Sequence, residues 1–275
     1  MYDVHGNPVK VIDIQDYDSG DIYKMTLKDG RVTYAEGDHL FPIIYRSAGK
    51  LKQNLRQIKT LANNTRWVNG KGETTLKFSL PKNECVKFNK QELSIDPYVL
   101  GLYLGDGCYQ RGSKNYINLT MLRSDIDSIE KYIPYPIDKS KYRDITHHIL
   151  INEATNKLDD LGLKEKKSFD KFIPKCYLYN SEENRIKLLN GLLDTDGSCT
   201  KDCGVIEYVS KSEQLSSDFL FLCRSLGFNC SRHLKIINGD VYYRCYLYSS
   251  DNRLFNLQRK KNNLKRKNPA YEKRC

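Results

Sequence analysis

Two acidic residues, Asp106 and Asp196, stand ninety positions apart, and each closes an apolar run that ends in Gly. The runs are Val99-Leu100-Gly101-Leu102-Tyr103-Leu104-Gly105-Asp106-Gly107 and Leu189-Asn190-Gly191-Leu192-Leu193-Asp194-Thr195-Asp196-Gly197. Small residues four apart, Gly101 and Gly105 in one and Gly191 and Thr195 in the other, share a helical face and let two helix backbones approach closely. A Gly after the last turn is the usual helix stop. Packed side by side, two such helices bring both carboxylates to one end of the pair, beside free carbonyls and the negative ends of the helix dipoles. This is a cation site, and its oxygen donors suit Mg2+, a hard ion that keeps several waters.

Carboxylates holding a divalent metal are the equipment for phosphodiester hydrolysis, which needs an in-line water, a neutralised phosphate and a stabilised leaving oxygen. The charge balance agrees. The chain of 275 residues carries a formal charge of +11, which calls for a polyanionic partner. Duplex DNA is expected rather than a membrane: there is no basic amphipathic helix with a broad apolar face and no run near the roughly 18 apolar residues of a span. With no basic-then-apolar leader pattern, the expected location is cytoplasmic, or wherever the target DNA resides. Nine cysteines, an odd number, are expected as reduced thiols. Cys199 and Cys203 lack a second pair at zinc-finger spacing, which argues against structural zinc.

The elements that must position the two acids repeat as well. Asp96-Pro97 is an N-cap followed by Pro at the first helical position, and Ser181-Glu182-Glu183 starts the second helix. Alternating segments follow, Tyr116 to Leu122 and Val205 to Val209, then capped helices Ser124 to Tyr132 and Ser212 to Leu226, the latter ended by Gly227. Further strands come next: Asp144 to Ile151 in the first half, and a hairpin, Asn229 to Ile237 with Val241 to Tyr248, in the second. Closing helices are expected over Asn152 to Leu161 and Ser250 to Gln258. The order α-β-β-α-β-β-α, twice, is a duplicated α+β unit with repeats at about 92–165 and 178–262.

The two nonamers resemble the paired motifs of LAGLIDADG homing endonucleases, with Asp106 and Asp196 at the metal-binding acidic position. The resemblance implies a single-chain saddle of antiparallel strands over residues 91–275, acting as a monomer on a long asymmetric DNA target and making both cuts of a double-strand break. It implies that the carbonyls before the acids, on Gly105 and Thr195, also serve the metal. Lys171-Phe172-Ile173-Pro174 resembles the family's Lys-x-Ile-Pro block, which places a catalytic lysine. The repeat offset carries Lys171 onto Lys261 as its counterpart.

DNA contacts are expected from the strands, because a β-ribbon fits the major groove and Arg, Lys and Asn can read purine edges there. The candidates are Arg111, Lys114, Asn115, Asn118, Thr120 and Arg123 in the first half. In the second they are Ser210, Lys211, Arg232, Lys235, Tyr242, Arg244, Tyr246 and Tyr248. The basic run from Gln258 to Arg274 is expected to grip phosphates without sequence preference.

Residues 1–90 read differently, as short strands at Val9 to Ile14, Ile22 to Leu27 and Arg31 to Tyr34, with a turn at Lys28-Asp29-Gly30-Arg31. Asp38-His39-Leu40-Phe41-Pro42 resembles a block of intein splicing (Hint) domains, which implies a mostly-β unit of that kind. The first residue is neither Cys nor Ser, Glu36 stands where inteins place Thr, and the chain ends Lys-Arg-Cys without His-Asn. The expectation is a degenerate splicing domain with no acyl-transfer chemistry. The alternatives left open are an active intein and a maturase that binds nucleic acid without cutting it.

Overall fold

The computed structural model describes every residue except 4, 17, 19, 69, 110–114, 140–144, 202–204 and 265–275. The first repeat contains α2 (Pro97–Asp106), β8 (Gly107–Cys108), β9 (Tyr116–Thr120), α3 (Arg123–Ile129), β10 (Ile137–Asp138), β11 (Thr146–Leu150) and α4 (Ala154–Asp160). After α5 (Lys175–Leu178), the second repeat contains α6 (Glu182–Asp196), β12 (Gly197–Cys199), β13 (Val205–Ser210), α7 (Glu213–Ser225), β14 (Asn229–Ile237), β15 (Asp240–Tyr248) and α8 (Gln258–Lys261). Each repeat forms one four-stranded antiparallel sheet, in the orders β10-β11-β9-β8 and β14-β15-β13-β12. The two orders are equivalent, strand for strand.

Local chemistry explains the starts. Asp96 accepts from the N–H groups of Tyr98 and Val99, and Ser181 Oγ accepts from the N–H of Asn184. Both satisfy donors that a helix leaves orphaned. The β14–β15 hairpin turns through Asn238 and Gly239 at φ 51° and 86°, the left-handed pair that matches strand twist. One core joins the repeats: Val99, Leu102, Leu192 and Leu193 from the central helices meet Leu119 and Ile149 of one sheet and Phe219 and Leu247 of the other half.

Residues 1–90 supply β1 (Ile22–Thr26), β2 (Val32–Glu36), β3 (Leu40–Ser47), β4 (Lys50–Gln57), α1 (Ile58–Leu61), β5 (Arg66–Val68), β6 (Thr74–Leu76) and β7 (Phe78–Ser79). They form small sheets β1-β2, β4-β3-β7 and β5-β6. Ile43, Ile58 and Leu61 are buried there, whereas Leu40, Leu51, Leu55 and Trp67 are exposed. The linker after them is held by the second repeat. Val86 exchanges its N–H and C=O with Ser225 O and the Arg185 guanidinium, and Arg185 stands over the Phe88 ring.

Two expected elements differ. Val9–Ile14 forms no strand: Ile12 and Ile14 project into solvent, and the pairing seen there is the Tyr2–Pro8 bridge with the Val9 N–H on Met1 O and the Met1 amine on Val9 O. The helix expected over Ser250–Gln258 is a series of turns that becomes helical only at α8, because the Asp194 carboxylate captures the N–H groups of Asn256 and Leu257. Asp144 lies outside the described residues, as does Cys203.

Candidate active site

The helices α2 and α6 lie against each other along the faces that carry the small residues. A Cβ built on Gly101 would stand 2.8 Å from Gly191 Cα, and one on Gly191 2.7 Å from Leu102 N. Near the end of the pair, a Cβ on Gly105 would meet Thr195 Cβ at 2.6 Å and Asp196 Oδ2 at 3.3 Å. The Asp196 carboxylate therefore leans over the last turn of α2, next to Asp106, in space that only glycine leaves free. Gly107 and Gly197 stop the helices without left-handed backbone: both are extended, at φ −83° and −79°, and lead directly into β8 and β12.

The electrostatics follow from that crowding. Burial pushes the Asp106 carboxyl above its usual range, opposed by the positive charges of Lys260 and Lys171. Asp196 has a surface open to solvent, yet protein crowding and then the neighbouring Asp106 charge raise it to about 6, against the pull of the same two lysines. Two carboxylates that resist joint ionisation, beside carbonyl oxygens, are a site that a divalent cation would relieve. Among the described residues no cluster of three His, Cys, Asp or Glu side chains could hold a metal, so the protein's oxygens here are two carboxylates and helix-end carbonyls.

Two lysines cap the helix ends symmetrically. Lys171 Nζ donates to the carbonyls of Tyr103 (2.9 Å), Leu104 (3.1 Å) and Gly107 (2.8 Å), with Gly105 O at 3.4 Å. Lys260 Nζ donates to Leu193 (2.9 Å), Asp194 (2.7 Å) and Thr195 (2.9 Å). Burial lowers both amines from 10.5 to about 8. The counterpart of Lys171 is thus Lys260. Lys261, named from the repeat offset, sits one residue beyond this position because the second repeat reaches its lysine one residue sooner. Its adjacency to Lys260 was the only available signal.

Three other features went unread in the sequence. Asp194, in the second motif, is fully engaged: it accepts from Tyr98 OH across the helix pair (2.8 Å) and from the N–H groups of Asn256 and Leu257. Burial raises its carboxyl to about 6 despite those donors. Lys166 and Lys167 line a cleft of about 600 Å3 that opens beside Asp106 and Lys171.

Strand register sorts the expected DNA contacts, since directly opposed residues share a sheet face. In the second sheet Lys235 opposes Tyr242, Arg244 opposes His233, and Tyr246 and Tyr248 follow at alternate positions. These five named candidates and partners occupy the face away from α7. Arg232 opposes Cys245 and turns instead toward the helix, donating to Ser216 Oγ and Ser217 Oγ. Ser210 also faces the helix side and holds the turn before α7 through the Ser212 N–H. Lys211 pairs with Asp240 at the hairpin tip. In the first sheet Asn118 opposes His148 and Thr120 opposes Thr146, on the face opposite Ile117 and Leu119, but Asn118 is buried and of the two only Thr120 is exposed. Asn115 is committed to the Glu153 N–H, and Arg123 lies on α3 beside Asp127. Arg111 and Lys114 lie outside the described residues, as does the basic run beyond Leu264.

Residues 183–259 match the family model of the LAGLIDADG-like domain. The match spans the second repeat from α6 into α8. Over 190 residues the chain is 27% identical to the replicative DNA helicase DnaB of Mycobacterium intracellulare, an alignment covering 67% of this chain and 29% of that protein. The chain thus spans less than a third of that relative's length. Among solved structures it is similar to I-DmoI in complex with DNA and Mn, at 17% identity and a TM-score of 0.37, covering 56% of this chain and 89% of that one. It is also similar to full-length DUF199/WhiA from Thermatoga maritima, at 16% identity and a TM-score of 0.36, covering 57% of this chain and 51% of that one.

Proposed function

We propose that this chain is a metal-dependent endonuclease that makes a site-specific double-strand break in a long, asymmetric DNA duplex. The observation that carries the reading is the convergence of Asp106, Asp196, Lys171 and Lys260 on one end of a glycine-packed helix pair. Asp106 and Asp196, with the carbonyls of Gly105 and Thr195, would hold the metal. When bound, a hard divalent ion such as Mg2+ supplies Lewis acidity toward the phosphate and an acidified water.

The chain's own residues do the rest. Both lysines, at about 8, exchange protons near neutral pH and present positive charge where the phosphate gains negative charge. Lys166 and Lys167 at the mouth of the Asp106 cleft attract the flanking phosphates. Thr120 in one sheet, and Lys235, Tyr242, Arg244, Tyr246 and Tyr248 in the other, face the duplex, while the buried Asn118 does not. The two faces differ in sequence, so the target has no two-fold symmetry.

Residues 1–90 are read as a separate β unit derived from a splicing domain. Lys50, Lys52 and Arg56 share one face of the β3–β4 pair with Tyr45, and this face extends the electrostatic grip on DNA.

The rival reading is a module that binds nucleic acid without cutting it, favoured by the lack of a three-ligand side-chain cluster among the described residues. Selection from randomised duplexes for those cut in Mg2+, with chelated controls, decides between them. Recovery of one cut sequence whose cleavage disappears in Asp106→Asn supports the nuclease. Tight binding with intact duplex in Mg2+ and Mn2+ alike supports the rival.

A further inference from the structure

The lysines that cap α2 and α6 do not sit on either central helix. Lys171 belongs to the connection 161–174, and Lys260 to the short α8 that follows a run of turns. Neither segment has the sheet or long-helix hydrogen bonding that would hold a side chain against rotamer and backbone freedom. Something else must hold each lysine at its helix end.

For Lys171 the restraint comes from α7 of the second repeat. Ser212 Oγ, at the cap of α7, donates to Lys171 O at 2.7 Å, and Asp218 Oδ2 accepts the Ile173 N–H at 2.8 Å. Asp218 is buried, and Gln214 Nε2 fixes its other oxygen at 2.8 Å. The Lys260 segment is held twice: its own α6 fixes the entry to α8, Asp194 accepting from the Asn256 and Leu257 N–H groups, and α3 of the first repeat supplies the tie next to the lysine itself. Arg259 grips Asp125 with two parallel bonds, Nε to Oδ1 at 2.8 Å and Nη2 to Oδ2 at 2.6 Å. The Asp125 side chain is 8% exposed, so this is a bidentate pair seated on a nearly buried carboxylate. The helices α3 and α7 are equivalent, each following the second strand of its repeat. The restraints are therefore crossed: each lysine caps the central helix of one repeat while its backbone or neighbour is tied to the flanking helix of the other.

We propose that Asp218 and Asp125 are positioning residues for the two halves of the cleavage reaction, Asp218 aligning Lys171 and Asp125, through Arg259, aligning Lys260. The proposal rests on the nuclease reading for its catalytic consequence, but not for the geometry it asserts. Each reaction centre is complete only when the opposite repeat is docked. The two ties also differ in kind. Asp218 acts through neutral donors, one of them the buried Ile173 N–H, whereas the Arg259 side chain is 58% exposed and its pair is open to screening by salt.

The test uses the full chain and a duplex recovered from the Mg2+ selection, with its two strands carrying different fluorophores. Lys171→Met and Lys260→Met first establish which strand each lysine serves. Asp218→Ala should slow the Lys171 strand, and Asp125→Ala or Arg259→Ala the Lys260 strand. The expected loss is about 10- to 100-fold in kcat, the scale of a small misplacement, with KM for the duplex nearly unchanged. Nicked duplex then accumulates with opposite polarity in the two sets. Asp218→Asn keeps an acceptor and should recover most of its strand's rate, and Asp125→Arg combined with Arg259→Asp should restore the other. Parallel slowing of both strands, or the same strand bias from both sets, overturns the proposal.

A second measurement stands even if no duplex is cut, an outcome that would remove the nuclease reading alone. Acetylation of the metal-free protein by an N-hydroxysuccinimide ester, read by mass spectrometry, reports how well each amine is held at its carbonyls. Labelling at Lys260 should rise roughly tenfold in Asp125→Ala with Lys171 unchanged, and the reverse should hold in Asp218→Ala, as for loss of a charge-assisted restraint. Joint exposure of both lysines, or of neither, refutes crossed positioning.

Discussion

Lys260→Met isolates the energetic cost of the arrangement. The Lys260 side chain is buried, with its ammonium on three carbonyls, and burial moves the amine from 10.5 to about 8. Each tenfold change in acidity is worth about 1.36 kcal/mol, so the folded state disfavours the charged amine by roughly 3 kcal/mol. The sign follows from proton counts. The unfolded chain keeps this proton up to pH 10.5, whereas the folded chain releases it near pH 8. Between those values the unfolded state binds more protons, so the wild type gains stability as pH rises. Below pH 8 the whole penalty is present.

Met has similar length and no proton. At pH 7 the variant escapes about 3 kcal/mol but loses the donor to the Asp194 and Thr195 carbonyls, Leu193 O keeping the Gly197 N–H, at a cost of about 1–2 kcal/mol at this helix end, leaving it more stable than wild type by about 1–2 kcal/mol. At pH 10 less than about 1 kcal/mol of the escape remains, and the variant becomes the less stable protein by up to about 1 kcal/mol. Urea melts in EDTA, without DNA, at both pH values measure this crossover; tyrosine and cysteine ionisation is common to both proteins and cancels. A variant that differs from wild type by the same amount at both pH values would refute the buried-ammonium argument. Lys261→Met, one residue further on, should show no such crossover.

Four further outcomes are expected. Asp106→Asn and Asp196→Asn should each abolish double-strand cleavage while duplex affinity in a gel-shift assay stays within about threefold, since ligand charge is lost and the strands are untouched. Gly191→Ala should lower stability by about 3 kcal/mol or more in thermal melts, because its Cβ would stand 2.7 Å from Leu102 N, and a normal melting temperature would contradict the close helix crossing. Lys235→Ala should weaken duplex binding and Arg232→Ala should not, as one faces away from α7 and the other bonds to it; equal losses would mean the assigned DNA face is wrong. Replacing Lys50, Lys52 and Arg56 with Gln should flatten the salt dependence of binding by up to about three phosphate contacts, and an unchanged slope removes the β3–β4 face from the interface.

The parts of this fold that were legible in the sequence are those whose physics is local. Caps at Asp96 and Ser181, small residues at helical spacing and the Asn-Gly turn each act within a few residues, and all appear where expected. Positions set by long-range partners were hidden. Arg232 reads as one more alternating cation on a hairpin, and only the packing of α7 decides that it faces Ser216 and Ser217. The Lys260 position depends on the length of a connection that differs by one residue between repeats, which no offset computed from the motifs contains. The segment 250–257 offers a cap-like Ser250-Asp251 and the apolar Leu254, Phe255 and Leu257, but its Asn residues favour turns and the Asp194 carboxylate takes the N–H groups of Asn256 and Leu257.

Asp194 also shows why counting acids in the motifs misleads. The second motif has two, and a sequence reading that treats carboxylates alike would enlist both for the cation. In the fold they part: Asp196 leans over Gly105 toward Asp106, while Asp194 is turned inward and filled by Tyr98 OH and two backbone donors. Its place in the first motif is taken by Leu104, so the first repeat lacks this device and its lysine segment depends on Ser212 and Asp218 instead. The repeats therefore reach the same end state, an amine on helix-end carbonyls beside a carboxylate, by different supports. That is the pattern expected when a duplicated unit keeps the geometry at its centre and lets each flank find its own means of holding it.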